Sequence, residues 1–355
     1  MKEILIMGYF GKGNIGDEAI LSSTLSRIRK DGEVVVLSDN PDETMRMHHV
    51  RSIKYSYRSL PLILLRIIRK RPKILFPGGG YFYGGAVRTI ALIAIIGKLF
   101  GSKIEIVAVG VGPFLSHEIV GLYQDSDEFI GLNKVCLRII FTIADYASVR
   151  DEFSRKMVVR AGVRDVKVEK DPALYLEPID EKFAFDLFNS ALPRLNAPFV
   201  GLNIRYIPDK AIMDKVINVM AEISRFVIEK LNGSVIFVPF GVRYQNELNK
   251  FSPINDDEIA FNLLKQSCDL GRVYFLRGRY APRELLGMFK FFDSFVGMRL
   301  HSVVFASIMR VPVFAISYEQ KIDSFVQKEK IPYLQINDIG SKQIIDFLFN
   351  VFKPK

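Results

Sequence analysis

Ile4-Leu-Ile-Met7-Gly8-Tyr-Phe-Gly11-Lys-Gly13-Asn14-Ile-Gly16-Asp17-Glu18-Ala-Ile-Leu21 reads as an apolar strand, a glycine-rich turn and the start of a helix that runs to about residue 30. A strand that feeds a helix through glycines is the first unit of a doubly wound α/β sheet. Gly11, Gly13 and Gly16 also satisfy the G-x-G-x-x-G spacing of dinucleotide sites, and Asp39 follows the second strand where a ribose-binding acid would sit. Against that reading, Asp17 and Glu18 place two carboxylates at the helix N-terminus, where they suit the helix dipole but repel a pyrophosphate.

Apolar runs of strand character recur at 3–7, 33–37, 73–76, 104–109, 146–149 and 166–169, separated by helix-like stretches. That rhythm implies crossover connections and a parallel sheet with helices on both faces. It restarts at 199–204 and continues through 235–238, 273–276, 294–296 and 313–316. Between the two series, Asp171-Pro-Ala-Leu-Tyr-Leu-Glu-Pro178, a helix-like 180–192 and Pro193 mark a boundary. The expected organisation is a Rossmann-like domain at 1–178, a second at 179–338 and a helix at 339–355 that folds back over one of them. Two such domains facing each other across a cleft would bind ligand between the carboxyl ends of their strands.

A chain of 355 residues with 49% apolar content can fill two cores without staples. Cys136 and Cys268 lack metal-type spacing and read as buried thiols of a reducing compartment. No leader pattern is visible, and the longest apolar run, 90–96, is far short of a membrane span, so a cytoplasmic protein is expected. The net charge of +10 is unevenly placed: residues 44–104 hold twelve Lys or Arg and no acid, so the rest sums to about −2. Within 58–73 cations alternate with bulky aliphatics. This suits an anionic lipid surface at the inner face of the membrane, a diphosphate-bearing substrate, or simply a solvated helix packed on the sheet. Nucleic acid is not expected, because no recognised motif is present and no aromatic platform interleaves these cations.

Two further glycine turns follow strands: Pro77-Gly-Gly79-Gly80-Tyr-Phe-Tyr-Gly84-Gly85, whose glycines admit a ligand or merely make a tight turn, and Gly110-Val-Gly112-Pro113. In Val296-Gly-Met-Arg299-Leu300-His301-Ser, a strand ends and a helix starts, so Arg299 and His301 stand at a βα turn. Arginine pairs bidentately with carboxylate or phosphate, and histidine moves protons near neutral pH. That combination suits an acidic substrate, although a helix cap would also place a histidine there. His48, His49 and His117 read as surface or loop residues, and no histidine or cysteine spacing supports a metal.

Five segments now carry a family resemblance: Gly11-Lys-Gly13-Asn14-Ile-Gly16-Asp17-Glu18-Ala, Gly78-Gly79-Gly80, Ser148-Val-Arg150-Asp-Glu-Phe-Ser154, Asp171-Pro-Ala173 and Gly297-Met-Arg299-Leu300-His301. Their order resembles that of polysaccharide pyruvyltransferases, especially the branch that acts on cell-wall glycans anchoring surface-layer proteins. The resemblance implies a glycosyltransferase-B-like fold, phosphoenolpyruvate as co-substrate, no redox cofactor and no obligatory metal. It also implies that Arg150 and Arg299 bind the donor and, with His301, form the catalytic set, and that the acceptor is a nucleotide- or lipid-linked glycan. Gly13, Asn14, Asp17, Gly79, Gly80 and Leu300 complete the expected substrate contacts, with a structural role open for Asn14 and Asp17. Pro239-Phe-Gly-Val-Arg243 departs from the family, which often has a histidine or acid there, and this leaves the acceptor open. Rival readings are a sugar-nucleotide glycosyltransferase, a non-catalytic sugar- or anion-binding protein and a nicotinamide or flavin oxidoreductase.

Overall fold

The computed structural model describes residues 3–28, 32–112, 131–192, 195–241, 256–268 and 271–353. Pro113, His117, Pro193 and Arg243 lie outside the described residues. Contacts divide the chain into two units, the first reaching Leu176 and the second starting at Glu177.

In the first domain the described residues form a parallel sheet of β1 (Ile4–Met7), β2 (Val34–Ser38), β3 (Arg51–Lys54), β4 (Lys73–Pro77), β5 (Ile104–Val109), β6 (Tyr146–Val149) and β7 (Lys167–Val168). The strand order is β3-β2-β1-β4-β5-β6-β7. The connecting helices are α1 (Ile15–Ile28), α2 (Pro41–His48), α3 (Leu60–Lys70), α4 (Ala86–Leu99), α5 (Leu132–Ile143) and α6 (Glu152–Arg160). Successive strand side chains alternate between faces, and both faces of β1 are buried, which is why it reads as an unbroken apolar run. Leu5 and Met7 join the core under α3, α4 and α5, with Ile63, Ile67, Ile90 and Leu137. Ile4 and Ile6 join Leu21 and Leu25 of α1 on the other side.

The second domain repeats the design. After α7 (Glu181–Ala191) come β8 (Phe199–Asn203), α8 (Lys210–Arg225), β9 (Ser234–Phe237), α9 (Asp256–Ser267), β10 (Val273–Phe275) and α10 (Pro282–Met288). There follow β11 (Ser294–Gly297), α11 (Leu300–Ile308), β12 (Val313–Ser317), α12 (Gln320–Glu329), β13 (Tyr333–Gln335) and α13 (Ser341–Phe352). The parallel order is β10-β9-β8-β11-β12-β13. Ile344 and Leu348 of α13 enter the same core as Val216 and Met220 of α8, so the last helix closes over its own domain. Elsewhere in the domain, Phe289 meets Phe292, Phe295 and Phe305 at centroid distances of 4.8–5.6 Å, the edge-on and tilted geometry aromatic rings prefer. Cys136 and Cys268 are buried free thiols.

Each sheet therefore has one point where strand order reverses: between β1 and β4 in the first, between β8 and β11 in the second. Loops leaving the carboxyl ends on either side of such a point diverge and open room for a ligand. The strands absent from the sequence reading, β3 and β13, are both edge strands. Only Ser52 is buried in β3 and no residue of β13 is, so neither presents an apolar run.

Candidate functional site

At the first switch point, the loop after β1 is held by its own helix. Gly11 donates its N–H to Glu18 Oε1 at 2.7 Å, and Gly16 donates to Asn14 Oδ1 at 3.0 Å. Two amides that a pyrophosphate would use are thus engaged within the loop. Gly11 also lies so close to the end of β2 that a Cβ would come within 2.1 Å of Ser38 Oγ and 2.4 Å of the Asn40 nitrogen. The dinucleotide spacing is present, but its first glycine serves close packing against β2.

The other oxygen of Glu18 bonds His48 Nε2 at 2.7 Å, and His48 Nδ1 lies 3.1 Å from Ser22 Oγ. His48 is 4% exposed and ends α2, which corrects its assignment as a surface or loop residue. A carboxylate buried beside a glycine loop needs polar partners, and α2 brings one in from 30 residues away. Asn40 capping Glu43, with Pro41 at the first helical position, is the sequence signal that places His48 on a helix. His49 is the exposed residue of the pair, closing α2 at φ 49°.

Asn14 Nδ2 bonds Asp17 Oδ2 at 2.5 Å, so two expected acceptor contacts are partners of each other. Asp17 stands over the second glycine loop: a Cβ on Gly79 would lie 3.1 Å from Asp17 Oδ1. Gly79 needs its freedom for a second reason, a φ of +73°. Tyr81 is buried and donates to the Met7 carbonyl at 2.9 Å, which ties this loop to the end of β1. Burial, reinforced by the Asp17 charge, pushes the hydroxyls of Tyr81 and the half-buried Tyr83 up.

Arg150 follows β6, and its side chain is only 6% exposed. It is flanked by Asp151 at 3.2 Å and Asp171 at 3.6 Å. Gly80 and Gly110 leave the space it occupies. A Cβ on Gly110 would sit 2.7 Å from the guanidinium carbon, and one on Gly80 would touch Nη2 at 3.6 Å. Asp151 also caps α6 by accepting from Ser154 N at 2.7 Å, and Asp171 accepts from Ala173 N at 2.9 Å. Asp171, which opens the boundary stretch, is therefore also a counter-charge for Arg150. Gly13, Asn14, Asp17, Gly79, Gly80 and Arg150 all lie at the carboxyl edge of the first sheet.

Arg299, Leu300 and His301 lie at the second switch point, in the other domain. Arg299 is the N-cap of α11, its N–H donating to Asn203 Oδ1 at 3.0 Å. Leu300 is buried, and His301 is half-buried in the first turn of the helix. The Arg299 guanidinium donates Nε to Asp257 Oδ1 at 2.9 Å and Nη2 to the same oxygen. Asp257 is fully buried, and its Oδ2 accepts from Phe240 N at 2.6 Å and Gly241 N at 2.9 Å. Burial opposes the Arg299 charge, but Asp257, Tyr318 and Asp256 together hold its pKa above the ordinary value. Asp256 reaches Arg205 at 3.0 Å. Burial, with Glu319 beside it, raises the Tyr318 hydroxyl against the pull of Arg205 and Arg299.

Asn203, Arg205, Asp256, Asp257 and Tyr318 were not singled out from the sequence. Asn203 and Arg205 had a usable signal, since they end a strand of the second series as Arg299 does. Asp257 had none, because its partner is 42 residues away. Among the described residues no group of three His, Cys, Asp or Glu is placed to hold a metal ion. Among them, too, no helix is long and apolar enough to cross a membrane.

Comparison with known proteins places this geometry. UDP-GlcNAc 2-epimerase from Methanocaldococcus jannaschii superposes with a TM-score of 0.62 at 13% identity, covering 100% of this chain and 94% of that one. The S. aureus MnaA–UDP structure gives 0.64 at 10%, covering 100% and 88%, and E. coli ADP-heptose lps heptosyltransferase II gives 0.57 at 11%, covering 99% and 98%. At such identities the likeness is one of fold, and the fold is glycosyltransferase-B-like, with two Rossmann-like domains. Among curated proteins none matches. The family model described as polysaccharide pyruvyl transferase matches residues 14–320, a span that takes in Asn14, Asp17, Arg150, Arg299 and His301, and the chain belongs to that family.

Proposed function

We propose that the protein moves the pyruvyl group of phosphoenolpyruvate onto two hydroxyls of a sugar as a ketal, releasing phosphate, during cell-surface glycan synthesis in the cytoplasm. The family match across residues 14–320 carries this reading. The acceptor would be a nucleotide- or lipid-linked glycan, and neither a redox cofactor nor a metal is required.

The chemistry assigns roles to the residues. His301 protonates the methylene carbon, one sugar hydroxyl forms a bond to C2, and a second hydroxyl closes the ring as the C2–OP bond breaks. Of the two hydroxyl protons, one replaces that delivered to the methylene carbon and the other leaves with phosphate. General acid–base catalysis of this kind contributes roughly 10²–10⁴-fold. The donor carries a carboxylate and a phosphate, which Arg150 and Arg299 would bind. Asp257 occupies Nε and Nη2 of Arg299, which leaves Nη1 for the donor. A guanidinium held at a set angle by a buried carboxylate loses little freedom on binding.

The test is phosphate release from phosphoenolpyruvate against a panel of nucleotide- and lipid-linked amino sugars. His301→Ala should abolish it with melting unchanged, and full turnover in that variant would remove His301 from the mechanism. The fold shared with the E. coli heptosyltransferase keeps one rival, a sugar-nucleotide glycosyltransferase. That rival predicts sugar transfer from a nucleotide and indifference to phosphoenolpyruvate.

A further inference from the structure

The +10 net charge is a count, and ion pairing decides where it acts. Of the twelve cations in residues 44–104, seven face a carboxylate within 4.0 Å: Arg46, Arg51, Lys54, Arg66, Lys73, Lys98 and Lys103. The other five are Arg58, Arg69, Lys70, Arg71 and Arg88, and none has a carboxylate partner among the described residues. All five sit on α3, on α4 or within two residues of the ends of α3.

These two helices pack side by side on one face of the first sheet, anchored by Ile63, Ile67 and Ile90. Their outer faces repeat one pattern. Along α3 and the turn before it, Arg58, Leu62, Leu65 and Arg69 follow each other three or four residues apart, and all four are exposed. On α4, Arg88, Leu92 and Leu99 do the same, with Phe100 at the end. Leu62 is 70% exposed and Leu99 73%, and with Leu65 and Leu92 they give two packed helices several exposed leucines rather than one. Tyr57, 87% exposed, stands just before Arg58. The layer continues into α5, where Leu132 and Val135 are exposed beside Lys134 and Arg138. Neither α3, α4 nor α5 contains an acid.

We propose that this face docks on a membrane surface rich in anionic lipid, with the leucines entering the headgroup boundary and the arginines pairing with phosphates. Aliphatic side chains flanked by long cations suit that boundary, since the stems lie along apolar surface while the guanidiniums stay in the polar layer. Exposed aromatics at the ends of α3 and α4 fit the same depth. The complementarity is one-signed: cations without a carboxylate partner among the described residues, Arg88 being bonded only by the Asn133 amide oxygen at 2.7 Å, meet anions on the lipid. This inference rests on no assignment of the catalytic site.

The experiment is flotation of the full chain with vesicles of phosphatidylcholine, alone or mixed with phosphatidylglycerol, at low and high salt. Binding is expected to the mixed vesicles only, and to fall with salt. Each cation near such a surface contributes about 1 kcal/mol, so Arg58→Gln with Arg69→Gln should weaken binding about thirty-fold. Leu62→Ser with Leu65→Ser should also weaken it. Lys182→Gln with Lys265→Gln, exposed cations of the second domain, should leave it unchanged. Phosphate release with a soluble acceptor should be unaffected by the Arg58 and Arg69 changes, which separates this surface from the chemistry. Absence of binding to mixed vesicles, equal binding to phosphatidylcholine alone, or equal binding by either double variant of α3 overturns the proposal. So does light scattering that shows a dimer abolished by the leucine changes, since the face would then belong to a second copy of the chain.

Discussion

Replacing Asp257 by Asn tests the arrangement around Arg299 most directly. The new side chain keeps the volume, and its carbonyl oxygen can still accept from Phe240 N and Gly241 N, as Oδ2 does now at 2.6 and 2.9 Å. Its amide NH₂ then faces Arg299 Nε and Nη2, so donor meets donor and a charge with 12% side-chain exposure loses its buried partner. Removing one member of a buried ion pair costs about 3–5 kcal/mol. For a domain of this size each kcal/mol moves the melting temperature by about 2–4 °C, so the second domain should melt roughly 6–20 °C lower by calorimetry. Adding Arg299→Met removes the orphaned charge, and the double variant should be more stable than Asp257→Asn alone. A drop of under about 1 kcal/mol in the single variant would refute the reasoning, as would costs that simply add in the double.

Two other changes act in the first domain. Gly110→Ala puts a methyl 2.7 Å from the Arg150 guanidinium carbon, and a flexible side chain yields before the backbone does. Melting should therefore change little while KM for phosphoenolpyruvate rises roughly ten- to hundred-fold, the loss of one charged hydrogen bond; unchanged KM would dissociate Arg150 from the donor. Asp145 bonds Lys98 at 2.7 Å and accepts from Ile104 N at 2.8 Å, and both interactions lower its pKa. A depressed folded pKa gives stability that is present above the unfolded value, about 3.9, and is lost as pH falls through the folded one. The melting difference between wild type and Asp145→Asn should accordingly shrink below about pH 4, and a constant difference across that range would contradict the assignment.

Both sheets were legible in the sequence where strands are buried on two faces, because period-two alternation then leaves no polar gap. Arg299 and His301 were legible for a related reason: strand, turn and helix are contiguous, and the turn's place in a parallel sheet is fixed by local order. Asp257 was not, since nothing near it in sequence requires a buried carboxylate. The histidine pair misled in the opposite sense. His48 lies in a polar stretch, and its partners Glu18 and Ser22 on another helix explain why one ring is inside and its neighbour outside. The basic stretch shows the limit of counting charge, because seven of its twelve cations are matched by acids from elsewhere in the domain or from just outside the stretch.

The strands that went unread also shape how the molecule meets its neighbours. Among the described residues the sheets end in β3, β7, β10 and β13, which are two to four residues long, and Arg51 and Lys54 stand exposed on β3. Such margins offer an incoming chain few backbone groups to pair with, and on one of them long charged side chains, ion-paired to Glu33 and Asp39, stand in its way. Edge-to-edge pairing along these margins is therefore a poor route for further copies to associate at high concentration.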